Sequence, residues 1–176
     1  DVYKRQGQYH DRQVIVQNNN ITVGPFCFNS CDESCDEETI NYTLVWYDDF
    51  DNSEIDLNKW NFEIGTGNWG WGNNEAQYYT NRPENAYIDN GILVIQALHE
   101  NYGGMSYTSA RLTTKNKGDW MQGKLEIRAS LPTGIGTWPA IWMLPTDWVY
   151  GGWPESGEID IMEHVGYDPN WIHGTI

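Results

Sequence analysis

The sequence predicts an all-β protein, with antiparallel sheets packed as a sandwich. Three observations carry that reading. Polar and apolar residues alternate over short runs, most cleanly at 123–131, where Leu125, Ile127, Ala129 and Leu131 oppose Lys124, Glu126, Arg128 and Ser130. Asn90-Gly91 separates two apolar runs, the strongest short-range signal of a two-residue hairpin. No stretch carries the 3.6-residue period of an amphipathic helix.

The 176 residues suffice for one domain with a core. Lys plus Arg number 10 against 25 Asp plus Glu, a net charge of -15 that repels nucleic acid and anionic membrane. No apolar run is long enough to insert in a membrane, and a monomeric domain is expected. Asp1 to Gln6 reads as foreign sequence, with no initiating Met and no signal-peptide pattern.

Residues 7–41 differ from the remainder and read as a separate N-terminal segment or linker. Within them Val14-Ile15-Val16 and Ile21-Thr22-Val23 flank an Asn run, as a hairpin or the tail of an upstream module would. Cys27, Cys31 and Cys35 lack the paired spacing and fourth ligand of a zinc site, so one disulfide with an odd thiol is the expectation. From residue 42 the chain reads as one domain, residues 42–176. Thr43 to Tyr47 is expected to be its first strand, followed by a turn dense in carboxylates, Asp48 to Asn52. Gly65 to Tyr79, rich in Gly, Asn and Trp, reads as an irregular loop. Residues 86–95 form the hairpin, and its second strand, apolar on both faces, should be central. His99 has no evident partner and reads as a surface residue. Thr108 to Lys115 alternates, with Ser109, Arg111 and Thr113 on one face. Gly134-Ile135-Gly136 is a turn, and no helix follows it that would make it a phosphate cradle. Thr137 to Leu144 puts Trp138, Ala140 and Trp142 opposite Ile141 and Met143, and a Trp/Gly loop then spans Asp147 to Pro154.

The chemistry concentrates in Gly157-Glu158-Ile159-Asp160-Ile161-Met162-Glu163-His164. Its β-branched apolar residues predict a strand, whose side chains point alternately to opposite faces. Glu158 and Asp160 share one face, Ile159 and Ile161 the other. Strict alternation would turn Glu163 into the core, where an unpaired carboxylate is costly. A β-bulge near Ile161 or Met162 returns Glu163 to the acidic face. The two Glu backbones then stand about 13 Å apart at roughly 3.3 Å per residue. Side chains leaning together are compatible with the roughly 5–5.5 Å of a retaining carboxylate pair. An acidic strand edge that blunts aggregation, or a divalent-metal site, would present the same residues. His164, facing away from the acids, reads as structural.

The run Glu158-Ile159-Asp160-Ile161-Met162-Glu163 resembles the E-[ILV]-D-x-x-E signature of glycoside hydrolase family 16, in its bulged form, and within it the bacterial laminarinases (endo-β-1,3-glucanases). Leu44-Val45-Trp46, Trp71-Gly72-Asn73-Asn74-Glu75, Ser109-Ala110-Arg111-Leu112 and Gly136-Thr137-Trp138-Pro139-Ala140-Ile141-Trp142-Met143-Leu144-Pro145 are similar to that group's blocks, in order. The resemblance runs from about Tyr42 to Ile176 and implies a concanavalin A-like jelly roll of two antiparallel sheets with a substrate cleft on the concave face. It also implies retaining hydrolysis of internal β-1,3-glucosidic bonds: Glu158 attacks the anomeric carbon, Glu163 serves as acid and then base, and Asp160 orients Glu158. Glu163 must begin protonated, which the neighbouring negative charges favour. Asn73, Arg111, Trp138, Trp142 and His173 are implied as substrate contacts, although Trp142 reads equally as a core residue and Arg111 as a surface charge. Trp171 to Thr175 is similar to the family's next strand, which brings His173 near the site.

No cofactor is implied for catalysis. A structural calcium ion would be held by Asp49, which is Glu in many relatives, and the carbonyl of Gly91; a solvated acidic turn is the alternative. The partner implied is a β-glucan polysaccharide, and the location extracellular, cell-surface or periplasmic. Sandwiches of this size often need roughly 200–250 residues, so the resemblance implies a domain missing its C-terminal strands. The alternatives are a relative acting on mixed-linkage glucan, agar or porphyran, and a non-catalytic β-glucan-binding module. Such modules typically lose the Glu pair, which this chain keeps.

Overall fold

A computed structural model describes the backbone of Val14–Gln17 and Asn20–Phe28 and the whole of residues 42–176. Asp1 to Gln6, Cys31, Cys35 and the side chain of Cys27 lie outside the described residues, and the disulfide expectation with them. The described residues contain β1 (Val14–Gln17), β2 (Asn20–Phe28), β3 (Asn61–Glu63), β4 (Gln77–Tyr79), β5 (Ala86–Asp89), β6 (Ile92–Ile95) and β7 (Leu98–Tyr102). After these come β8 (Met105–Ser109), β9 (Arg111–Thr113), β10 (Gly123–Ser130), β11 (Ala140–Met143), β12 (Ile159–Glu163) and β13 (His173–Thr175). Among them the only helical element is a π-type turn at Gly70–Asn74, so the all-β expectation holds. Among the described residues no helix is long and apolar enough to cross a membrane.

The chain divides into two compact units, Thr43–Asp119 and Trp120–Ile176, the latter together with β1 and β2. In Thr43–Asp119, β3 pairs with β9, β5 with β6, and β8 lies between β4 and β7. The β5–β6 turn places Asn90 at φ 50° and Gly91 at φ 76°, the two left-handed residues a tight hairpin requires. Its second strand is not central, contrary to the expectation from its composition. β5 and β6 form a two-stranded sheet, and Ile92 and Ile95 are exposed.

Three further expectations change. Thr43 to Tyr47 forms no strand. Side chains hold this segment in place of a ladder: Trp46 meets Trp60 edge-on at 5.5 Å, and Asp48 accepts from the Trp60 indole at 2.7 Å. The end of the Gly65–Tyr79 loop is β4, which runs parallel to β8, so not every pairing is antiparallel. The alternating run 108–115 breaks at buried Ala110 into β8 and β9, which join different sheets. His99 also has a partner, stacking on Tyr107 with ring centroids 5.0 Å apart.

A polar cluster organises this unit. Asn85, fully buried, accepts from Thr80 Oγ1 at 2.5 Å and from Arg82 at 3.1 Å. Its amide nitrogen donates to Thr108 Oγ1 at 2.9 Å and to the carbonyl of Gln96 at 3.1 Å. Arg82 and Thr108 both donate to Glu100, and these two bonds, Thr108's first, hold that carboxyl below its ordinary range. These hydrogen bonds offset the cost of so polar an interior.

In the other unit β1 and β2 form the antiparallel pair suggested by their sequence, and β2 pairs in turn with β10. The second sheet is β11-β12-β13. Its core is Ile161 and Met162, only 4% and 1% exposed, packed by Ile141 and Met143 from β11 and by Leu125 from β10. The predicted turn at Gly134 to Gly136 is present, with φ of 124° and 95° at its two glycines.

Candidate active site

Two consecutive apolar residues facing one core break the period of a strand, and β12 accommodates them with a bulge. Ile141 pairs with Met162, yet the next residue, Trp142, pairs with Asp160, leaving Ile161 as the extra residue. The other neighbour agrees, since Asp160 pairs with Thr175 and Glu163 with His173. Ile161 and Met162 both enter the core while Asp160 and Glu163 stay half-buried on the opposite side. The bulge falls where the burial cost of Glu163 demanded it.

Glu158 sits just before β12, and each Glu receives an indole. Trp153 Nε1 donates to Glu158 Oε2 at 2.7 Å, and Trp138 Nε1 donates to Glu163 Oε1 at 3.0 Å. Asp160 lies between them in sequence and hydrogen-bonds Glu158. Burial, then the charge of Glu158, then that hydrogen bond push the Asp160 carboxyl up to about 6. At lower pH Asp160 therefore keeps a proton to donate to Glu158.

A cavity of about 280 Å³ opens beside Glu163, lined by Trp138, Glu163, Val165, Tyr167, His173 and Thr175. His173 thus shares a cavity with Glu163, being its cross-strand partner. Trp142 is half-buried opposite Asp160, whereas Trp138 is 63% exposed. His164 is buried, with its ring Nε2 at 3.4 Å from the carbonyl of Pro169.

Asn73 and Arg111 belong to the other unit. Asn73 is exposed on the π-type turn, where Trp69, Trp71, Gly72 and Asn74 all adopt positive φ. Arg111 pairs with Glu63 and lies over the Trp71 ring at 4.5 Å. Glu75, from the same loop, accepts from Gln77 and from Tyr79 OH. Burial and then that bond push the Tyr79 hydroxyl well above its usual range. Asp49 is exposed, and Asp51 Oδ1 lies near the Gly91 turn.

Trp153 and Tyr167 were not singled out by sequence reasoning. Trp153 stands on the Trp/Gly loop noted there, five residues before Glu158, and that proximity was the available signal. Nothing in the sequence marked Tyr167.

Comparison with known proteins agrees with this architecture. Residues 73–171 match the family described as "XgeA-like, catalytic GH16 domain". A β-glucanase of Rhodothermus marinus is 55% identical over 140 residues, covering 77% of this chain and 48% of that protein. The solved laminarinase from Rhodothermus marinus superimposes with a TM-score of 0.73 at 53% identity, over 76% of this chain and 54% of that one. The laminarinase catalytic domain from Thermotoga maritima gives 0.71 at 49% identity, over 77% and 56%. The fold is the jelly roll of these laminarinases, an all-β class whose members here are carbohydrate-active. The chain belongs to glycoside hydrolase family 16. It spans half or less of the length of the curated relatives it matches, from about a fifth to a half.

Proposed function

We propose that residues 42–176 belong to the catalytic domain of a retaining endo-β-1,3-glucanase acting on laminarin-type glucans. The observation that carries this reading is the bulge in β12. It lets Ile161 and Met162 fill the core while Asp160 and Glu163 stay on the same side, with Glu158 tied to Asp160. In the proposed reaction Glu158 attacks the anomeric carbon and the glycosidic bond breaks as Glu163 gives its proton to the departing oxygen. Glu163 then takes a proton from water, which displaces Glu158 from the sugar. Asp160, hydrogen-bonded to Glu158, orients it. Trp138 and Trp142 offer indole faces to sugar rings, His173 a polar contact beside Glu163, and Asn73 and Arg111 further polar contacts.

The relatives support the substrate class, since they include a glucan endo-1,3-β-glucosidase from Cryptopygus antarcticus. A polysaccharide substrate is met outside the cytoplasm, so the reading carries with it an extracellular, cell-surface or periplasmic location, and a monomeric domain is proposed with it. No cofactor takes part in the two displacement steps. A structural calcium ion would draw on Asp49 and on the Gly91 carbonyl, with the Asp51 carboxylate near that turn as a further oxygen. These hard oxygens suit calcium but fall short of the about six to eight it takes.

Reducing-end release from laminarin, with lichenan and agarose alongside and a Glu158→Gln control, tests the proposal. Preference for laminarin that vanishes in the variant is the expected result. Binding without release would leave a glucan-recognition module, and cleavage of another polymer alone would discard the substrate assignment.

A further inference from the structure

Resting on the reading of Glu158 as the attacking carboxylate, we infer that Trp153 is a positioning residue for that nucleophile, its indole N–H holding Glu158 Oε2 at 2.7 Å. Trp153 is 67% exposed, so burial of its ring does not account for its placement. The loop that carries it is laced internally. Tyr150 N donates to Ser156 Oγ at 3.2 Å, and Ser156 Oγ donates to the Gly151 carbonyl at 2.6 Å. Gly157 N donates to the Pro154 carbonyl at 2.9 Å, which closes the chain directly onto Glu158. The donor is thereby fixed in space before any sugar arrives, which is the condition for holding a reacting group in one rotamer.

The chemistry of the donor suits the task. An indole N–H donates and never accepts, so it supports an ionised carboxylate and cannot compete for the proton. Asp160 supplies a second hydrogen bond from the strand side of Glu158. Between loop and strand, Glu158 is restrained from two directions. The corresponding indole on Glu163, that of Trp138, is the longer contact at 3.0 Å.

The test replaces Trp153 by Phe and, separately, by benzothienylalanine, an isostere that keeps the bicyclic ring and puts sulfur where the N–H stands. Turnover of laminarin and of an aryl β-1,3-glucan oligosaccharide with an activated leaving group is measured, together with the rate of labelling of Glu158 by a 2-fluoro glycosyl inhibitor. Both variants are expected to lose kcat about ten- to hundredfold, the factor a hydrogen bond to a charged group supplies. KM should stay within about twofold, and labelling should slow in parallel on the activated substrate, where proton donation matters little. Unchanged kcat in the isostere, or a loss confined to KM as for a sugar platform, overturns the inference. If Glu158→Gln itself retains full activity, it is the underlying assignment of Glu158 that fails.

Discussion

Asp160 shares a hydrogen bond with Glu158 and holds its own proton up to about pH 6. The order of causes matters. Burial dominates and the neighbouring charge adds to it, so the proton sits on the central acid of the trio and ties it to Glu158. Above pH 6 the same geometry sets two negative carboxylates side by side.

Stability should follow this proton. The folded chain holds it up to about 6, whereas an unperturbed Asp releases it near 3.8. The folded state therefore binds more protons between those values, and this contribution is complete below about pH 3.8 and lost as pH rises through 6. Denaturant midpoints measured from pH 4 to 7 should show this decline, and Asp160→Asn should flatten it. An unchanged slope in that variant would place the proton elsewhere.

Glu158→Gln and Glu163→Gln should both abolish turnover of laminarin, by about a thousandfold or more, while leaving the fold intact. They should separate on a substrate with an activated leaving group. There Glu163→Gln recovers the glycosylation step, because no proton need be donated, whereas Glu158→Gln does not. Recovery in the Glu158 variant would reverse the roles assigned to the two acids.

Met162 is 1% exposed and shares the core of its unit with Ile161. Met162→Ala should cost about 2–5 kcal/mol, the usual range for emptying a core site, read from urea unfolding. Deleting Ile161 is the sharper experiment. It removes the extra residue of the bulge and drives either Met162 out or Glu163 in. Activity should disappear, and retained activity would show that the bulge does not set the acids' positions.

Asn85 sits in the other unit with hydrogen bonds from Thr80 and Arg82 and to Thr108 and Gln96. Asn85→Ala leaves those buried partners unsatisfied and should destabilise by about 1–3 kcal/mol, seen as a lower melting temperature. Asn85→Asp should do less for the acceptor side and more for the donor side, so a double-mutant cycle with Thr108→Val measures the coupling.

The sequence alone determined the all-β class, the Asn90-Gly91 hairpin and the acidic strand with its bulge, because each rests on local rules. Alternation, turn geometry and the cost of burying Glu163 are all visible within a few residues of one another. Its failures came where local pattern and tertiary partner disagree. Thr43 to Tyr47 looks like a strand but is tied to Trp60 through Trp46 and to Lys59 through Tyr47. Ile92 to Ile95 looks central but stands in a two-stranded sheet. Gln77 to Tyr79 looks like loop yet finds a parallel partner in β8. Only the tertiary structure decided that Trp153 reaches Glu158, that His173 and Tyr167 share a cavity with Glu163, and that Asp160 carries the raised carboxyl. Those depend on which loops and strands meet in space and on the burial that results, quantities that no spacing along the chain encodes.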